Sequence, residues 1–211
     1  MNATDAGFGE EHIRAAFDRG DFQLAATTLL RAYGGEIFGF IVSRLKDTDF
    51  ASEVFADFAE DLWRGLHDFR WNCSARGWAY TLARHATSRG IRQRRRRAAR
   101  SIPLSRVGPI SELAQLVCTQ TTRSLGTRER SRVAALREQL SIYEQTLLTL
   151  RVNRELPWVE IARVLAGGPL ESVVALSPEQ LHTEAARHRK RFQKAKEKLR
   201  KLAAEAGLLS D

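Results

Sequence analysis

Between Arg84 and Arg100 the chain carries eight arginines and not one acid. A run of guanidiniums that long has no internal neutralisation, so it is either a solvated tail or one edge of a surface for a polyanion. Its upstream half is ordered by spacing. Thr81, Arg84, His85, Ser88, Arg92 and Arg95 recur every three or four residues, opposite Ala79, Leu82, Ala83 and Ala86. That arrangement gathers hydrogen-bonding and cationic groups on one helix face, which suits phosphates and base edges. Just before it, Phe69, Trp71 and Trp78 alternate with Arg70, Asn72, Ser74 and Arg76. Rings to stack on, cations for phosphates and amides for base edges are what a single-stranded nucleic acid requires. Phe69 is expected in the core, and Trp71, in the polar part, is the stacking candidate.

A second basic face lies near the C-terminus. Projected at 100° per residue, Phe192, Ala195, Leu199 and Leu202 form a stripe for a small core. Lys190, Gln193, Lys194 and Glu197 fall opposite that stripe, and Arg187, Arg191 and Lys198 lie along its margin. A plain solvated helix intersperses both signs; here bases dominate. Lys190, Gln193 and Lys194 are placed to reach base edges in a major groove, and Arg187 and Arg191 to hold phosphates.

One helix runs the other way in charge. Glu53, Asp57, Glu60 and Asp61 share a segment whose apolar residues Ala51, Phe55, Phe58, Leu62 and Leu66 repeat at helical spacing. Four carboxylates could suggest a metal site, but no His shares the helix at ligand spacing. A docking or solvated acidic face is the expectation, with no metal and no cofactor. No glycine-rich phosphate loop and no nucleophile motif accompanies it, so the chain is not expected to be an enzyme.

The elements that must position these groups are helical. In 211 residues with 43% hydrophobic content, the net charge of +9 comes from 34 bases against 25 acids. No apolar run approaches the roughly 18 residues of a membrane span, and the start has no signal-peptide pattern. No membrane insertion and a cytoplasmic location are therefore expected, with Cys73 and Cys118 as free thiols. Helical patterning runs from Glu11 to Ser43, after a frayed residues 1–10. A capped corner follows at Asp47 to Asp49, then the acidic helix. Asp68 to Gly77 reads as a loop, and Trp78 opens a helix that fades after the arginines. Ser101 to Arg130, rich in Ser, Thr, Pro and Gly, reads as a linker with a short helix at Glu112 to Thr119. Two capping boxes, Ser141 with Glu144 and Ser177 with Gln180, start further helices, with a short helix from Pro157 to Leu165 between them. Gly207 can close the last helix. The fold class is thus all-α. Two small helical domains, 1–98 and 133–211, are joined by a linker over 99–132, and the second has the order of a helix-turn-helix.

In this order the parts resemble RNA polymerase sigma factors of the extracytoplasmic-function (ECF) type, in the sigma-70 superfamily. "FASEVFADFAEDLWRGLHDFR" is similar to the family's helix that docks on the polymerase clamp. "WAYTLARHATSRGIRQRRRR" is similar to the helix that engages the melted minus-ten element. "LSIYEQTLLTLRVNRELPWVEIARVLAG" with "AARHRKRFQKAKEKLR" is similar to the helix-turn-helix that reads the minus-thirty-five element. The resemblance implies transcription initiation at promoter DNA with bacterial core polymerase as partner, and leaves room for an anti-sigma factor as a third. It implies core contact through Glu53, Asp57, Phe58 and Asp61. It puts minus-ten contact on Trp71, Asn72, Ser74, Arg76, Arg84, His85, Ser88 and Arg92. Minus-thirty-five contact falls to Arg187, Arg189, Lys190, Arg191, Gln193 and Lys194, with Arg189 included because it matches a family position.

The chain also departs from the pattern. His85 stands where the family has Asn, Arg89 where it has Asp, and Ser52 and Ala56 replace more polar residues of the clamp helix. An insertion at about 168–183 is either an extended turn or an early start of the last helix from Ser177. The rival reading is a helix-turn-helix regulator that acts without polymerase core. It accounts for the C-terminal module but not for the acidic helix or the aromatic loop. A membrane-surface protein wants a broad apolar face opposite its cations, which the arginine stretch lacks.

Overall fold

The computed structural model describes residues 3–97, 112–119, 132–166 and 176–208. The described residues are helical with no strand, in two compact units, Met1–Leu125 and Gly126–Asp211.

In the first unit, α1 (Ala3–Asp18) begins well before the expected Glu11. The helical pattern expected to run on to Ser43 is broken at Gly20, which takes a left-handed φ of 74°. There Gly20 and Asp21 N–H groups return to Phe17 and Ala16 carbonyls at 2.8 and 3.0 Å, a closure that a residue with Cβ adopts only at a cost. Asp21 then caps α2 (Phe22–Leu45), accepting from the Leu24 N–H at 2.9 Å. Sequence periodicity missed this break because apolar residues continue on both sides of it.

Helix α2 is apolar nearly all round, and it is the buried centre of the unit, with Leu29, Leu30, Tyr33, Ile37, Phe38, Phe40 and Ile41 sealed from solvent. It ends at Lys46 in a left-handed cap, and Asp47 caps α3 (Thr48–Gly65) by accepting from Phe50 N–H at 3.0 Å. The apolar stripe of α3 lies against α2, where Phe38 and Phe55 meet edge to face at 5.5 Å. A 3₁₀ turn, Leu66–Asp68, leads to an extended loop, and α4 (Ala75–Arg97) follows. This helix starts three residues before the expected Trp78, because Ser74 caps it with a 2.9 Å bond from Gly77 N–H, and it runs through the arginines to Arg97, as expected. Helices α3 and α4 approach closely at Gly90, where a Cβ would stand 2.7 Å from Val54. Helix α5, residues 112–119, lies within the segment read as linker and packs on this unit, with Val117 filling the notch left by Gly34.

The second unit opens with α6 (Arg132–Glu138) and α7 (Ile142–Leu148), whose capping box joins Ser141 and Glu144 as expected. A single π turn, Thr149–Asn153, leads to α8 (Trp158–Leu165) and the long α9 (Pro178–Glu205). Helix α9 starts from the Ser177 capping box, so the early-start alternative for the insertion holds at that end; 167–175 lie outside the described residues. Leu208 and Gly207 N–H groups return to Ala203 and Ala204 carbonyls at 2.9 and 3.0 Å, with Gly207 at a φ of 65°. That is the left-handed closure the sequence suggested.

Candidate nucleic-acid interface

Helix α4 buries Ala79, Leu82, Ala83 and Ala86 completely and turns Arg84, His85, Ser88 and Arg92 outward to differing degrees, with Arg92 exposed and the other three half-buried. Arg84 donates to His85 Nε2 at 2.7 Å. A guanidinium has no acceptor, so the ring nitrogen must accept and the neutral imidazole carries its proton on Nδ1. Burial, then the charges of Arg84, Arg89 and Arg92, push the His85 pKa down to about 4. At neutral pH this face therefore presents a neutral imidazole among guanidiniums. Burial, then the charge of Arg44, also lowers the pKa of Arg84. Arg44, near the end of α2 and set over the Phe40 ring at 5.7 Å, was not anticipated from the sequence. Cations gathered this way repel one another in a partly desolvated setting, and an anion there would relieve the repulsion.

The loop before α4 differs from its expected form. Arg76 does not face solvent. Its guanidinium makes two bonds to Glu36 on α2, at 2.7 and 2.9 Å, and the two side chains are only 17% and 5% exposed. Burial alone would lower the Arg76 pKa, and the bonds to Glu36 outweigh it and raise it. Glu10 of α1 accepts from the backbone N–H groups of Ala75 and Arg76 at 3.0 and 2.8 Å, capping α4 from a distant element. Tyr33, beside both carboxylates, has its pKa raised by burial and then by Glu10. Arg76 and Ser74 thus hold the helix start, and a nucleic acid finds neither freely offered. A lone Glu in the apolar run of α2 was the available signal, since a buried carboxylate demands a partner.

Trp71 is also more enclosed than a free stacking ring. It takes a φ of 54° and meets Phe17 at 5.6 Å, Phe69 at 4.9 Å and the Arg14 guanidinium at 4.6 Å. Phe69 is in the core as expected, 7% exposed, and stacks on Trp78 at 4.6 Å. Asn72 remains exposed at the tip.

On α3 the acidic face is less uniform than its sequence. Glu53 is exposed and Asp57 half-exposed. Asp61 accepts from Arg89 of α4 at 2.5 Å, and Glu60 pairs with Arg64. Phe58, assigned to the same surface, is fully buried and supports the core. It sits on the stripe with Phe55 and Leu62, on the side of the helix away from Glu53, so it cannot reach a partner.

Residues 29–97, which span most of α2 with the whole of α3 and α4, match the family model for sigma-70 region 2. This segment is similar to sigma-70 region 2. The match supports a relation to the sigma-70 family over that third of the chain. No curated protein and no solved structure gives a significant match. Both the acidic helix and the acid-free face fall inside the matched segment, whereas Glu10 and Arg14, which brace its loop, come from α1 outside it.

Beyond region 2, the second unit presents α9. Leu181, Ala185, His188, Phe192 and Ala195 are buried, while Lys190, Gln193 and Lys194 are exposed. The marginal cations lean on aromatic rings: Arg191 lies over Tyr143 of α7 at 5.1 Å, and Arg189 over Trp158 of α8 at 5.8 Å. Arg187 pairs with Glu184 one turn back. His188, unremarked in the sequence, bonds to the Tyr143 hydroxyl and ties α9 to α7. Its pKa is lowered, chiefly by burial.

Proposed function

We propose that the chain is a sigma factor of the ECF type that binds bacterial core polymerase, engages a melted minus-ten element through region 2 and reads a minus-thirty-five element through the second unit. The observation that carries this reading is the region 2 match over 29–97. It falls on the helices that hold one acidic face and one acid-free cationic face. Core contact falls to Glu53 and Asp57, with Asp61 already engaged by Arg89. Strand contact falls to the Asn72 tip and to Arg84, His85, Ser88 and Arg92, with Trp71 reached only by displacing what covers it. Arg187, Arg189, Lys190, Arg191, Gln193 and Lys194 would serve the minus-thirty-five element, in a module of helix, turn and long basic helix. The domain assignment follows: a region 2-like first domain, and a region 4-like helix-turn-helix in the second. An anti-sigma protein that masks one of these faces fits the same scheme, as does work beside the chromosome in the cytoplasm. The test is reconstitution of the full chain with bacterial core polymerase on a promoter library, with mapping of transcript starts. Starts that depend on both chain and core support the reading. Sequence-specific duplex binding that ignores core and yields no open complex would establish the helix-turn-helix regulator instead.

A further inference from the structure

Trp71 is held in a pose with two costs. A bulky residue rarely adopts a left-handed backbone, yet its φ is 54°. Its indole Nε1 is buried with no hydrogen-bond partner among the described residues, which leaves a donor desolvated and unused. Phe17 meets the ring edge to face at 82°, and Phe69 lies tilted against it. The Arg14 guanidinium also lies over the ring, 4.6 Å from its centroid. Arg14 Nε in turn donates to both oxygens of Asp18 at 3.1 Å, and these two side chains are 52% and 55% exposed.

We propose that Arg14 is a latch on the region 2 loop: its flat guanidinium occupies the Trp71 ring where an unstacked base of single-stranded DNA binds, and the base takes this place by displacing it. The inference rests on the reading of this loop as a single-strand site and adds α1, which lies outside the matched family segment, to that site. Magnitudes set the direction. An exposed cation–π contact favours the closed form by about two- to fivefold, and an exposed ion pair adds at most about fivefold. A base stacked on an aromatic ring is worth about 5- to 150-fold. The latch therefore keeps the apolar ring covered in the free protein and yields to a strand. Because Arg14 and Asp18 stand largely in solvent, opening exposes no core.

The test uses the full chain, a mixed-sequence single-stranded oligonucleotide at low salt, and two arginine variants that each remove one cation. Arg19→Gln measures the loss of a nearby exposed charge, and Arg14→Gln adds removal of the latch. Arg14→Gln is expected to bind the strand two- to fivefold more tightly than Arg19→Gln, while the Trp71 indole resonance of the native chain shifts on titration. A Trp71 resonance that stays put at saturation, with unchanged affinity in Trp71→Ala, overturns the single-strand reading and the latch together. A Trp71 resonance that shifts while Arg14→Gln binds no more tightly than Arg19→Gln overturns the latch alone. The resonance needs no change at Trp71, so it decides even where Trp71→Ala disturbs the loop.

Discussion

Arg76 shows how a residue type can suggest one role and a contact assign another. In sequence it is a cation among aromatics; in the fold it is half of a buried ion pair with Glu36. Breaking such a pair by removing one partner leaves a desolvated charge and costs about 3–5 kcal/mol. Glu36→Gln should therefore lower unfolding stability by that amount in urea denaturation, and a loss under 1 kcal/mol would show that water replaces the carboxylate. His85 makes a second residue-scale case. Its folded pKa of about 4 lies below the roughly 6.5 of an unfolded histidine. The unfolded chain thus takes up the proton first on acidification. The contribution of His85 to stability is complete above about pH 6.5 and is lost as pH falls toward 4. An NMR titration should place its midpoint near 4, and a midpoint near 6.5 would mean that the ring and its neighbouring guanidiniums are open to water.

Among the elements, the proposed function gives α9 two tasks that its geometry would separate. Lys190, Gln193 and Lys194 project away from the buried stripe, whereas Arg191 lies on the Tyr143 ring at the α7 border. A base contact carries roughly 1–3 kcal/mol of discrimination, while a phosphate contact carries affinity and salt dependence but no sequence information. Gln193→Ala should change which promoters a library selection returns. Arg191→Ala should weaken all of them alike and flatten the salt dependence. The reverse pattern would show that α9 meets the groove with its other face. Helix α9 starts from the Ser177 cap, several turns before the reading residues, and those turns affect how deep the residues reach.

For the whole molecule, opposite charge on separate faces is the organising feature. A net charge of +9 favours polyanions, so the proposed acidic docking face must be kept apart from the cationic one. Arg89, standing where the family has Asp, bonds to Asp61 and neutralises one edge of the face; Glu53 and Asp57 remain outward. Glu53→Arg combined with Asp57→Arg should weaken binding of the full chain to core polymerase at least tenfold, about 1.4 kcal/mol or more, with an unchanged melting temperature. Undiminished core binding by the folded double variant would move the docking surface elsewhere.

The sequence by itself determined most of the helices, several of their caps and most of their faces. Ser141, Ser177 and Asp47 act on amides three residues away, and the alanine side of α4 follows from a fixed 100° rotation, so chain-local information sufficed. It also located the acidic and basic faces, because charge is read directly from residue types. Only the tertiary structure decided which charged groups are spent within the fold. Arg76 meets Glu36 across 40 positions, Arg89 meets Asp61 across 28, and Arg14 reaches Trp71 from a separate helix. Periodicity places a side chain on a face but says nothing of what stands opposite. A guanidinium is just as able to pair inside the protein as with a phosphate, and which partner it has depends on how the helices are packed.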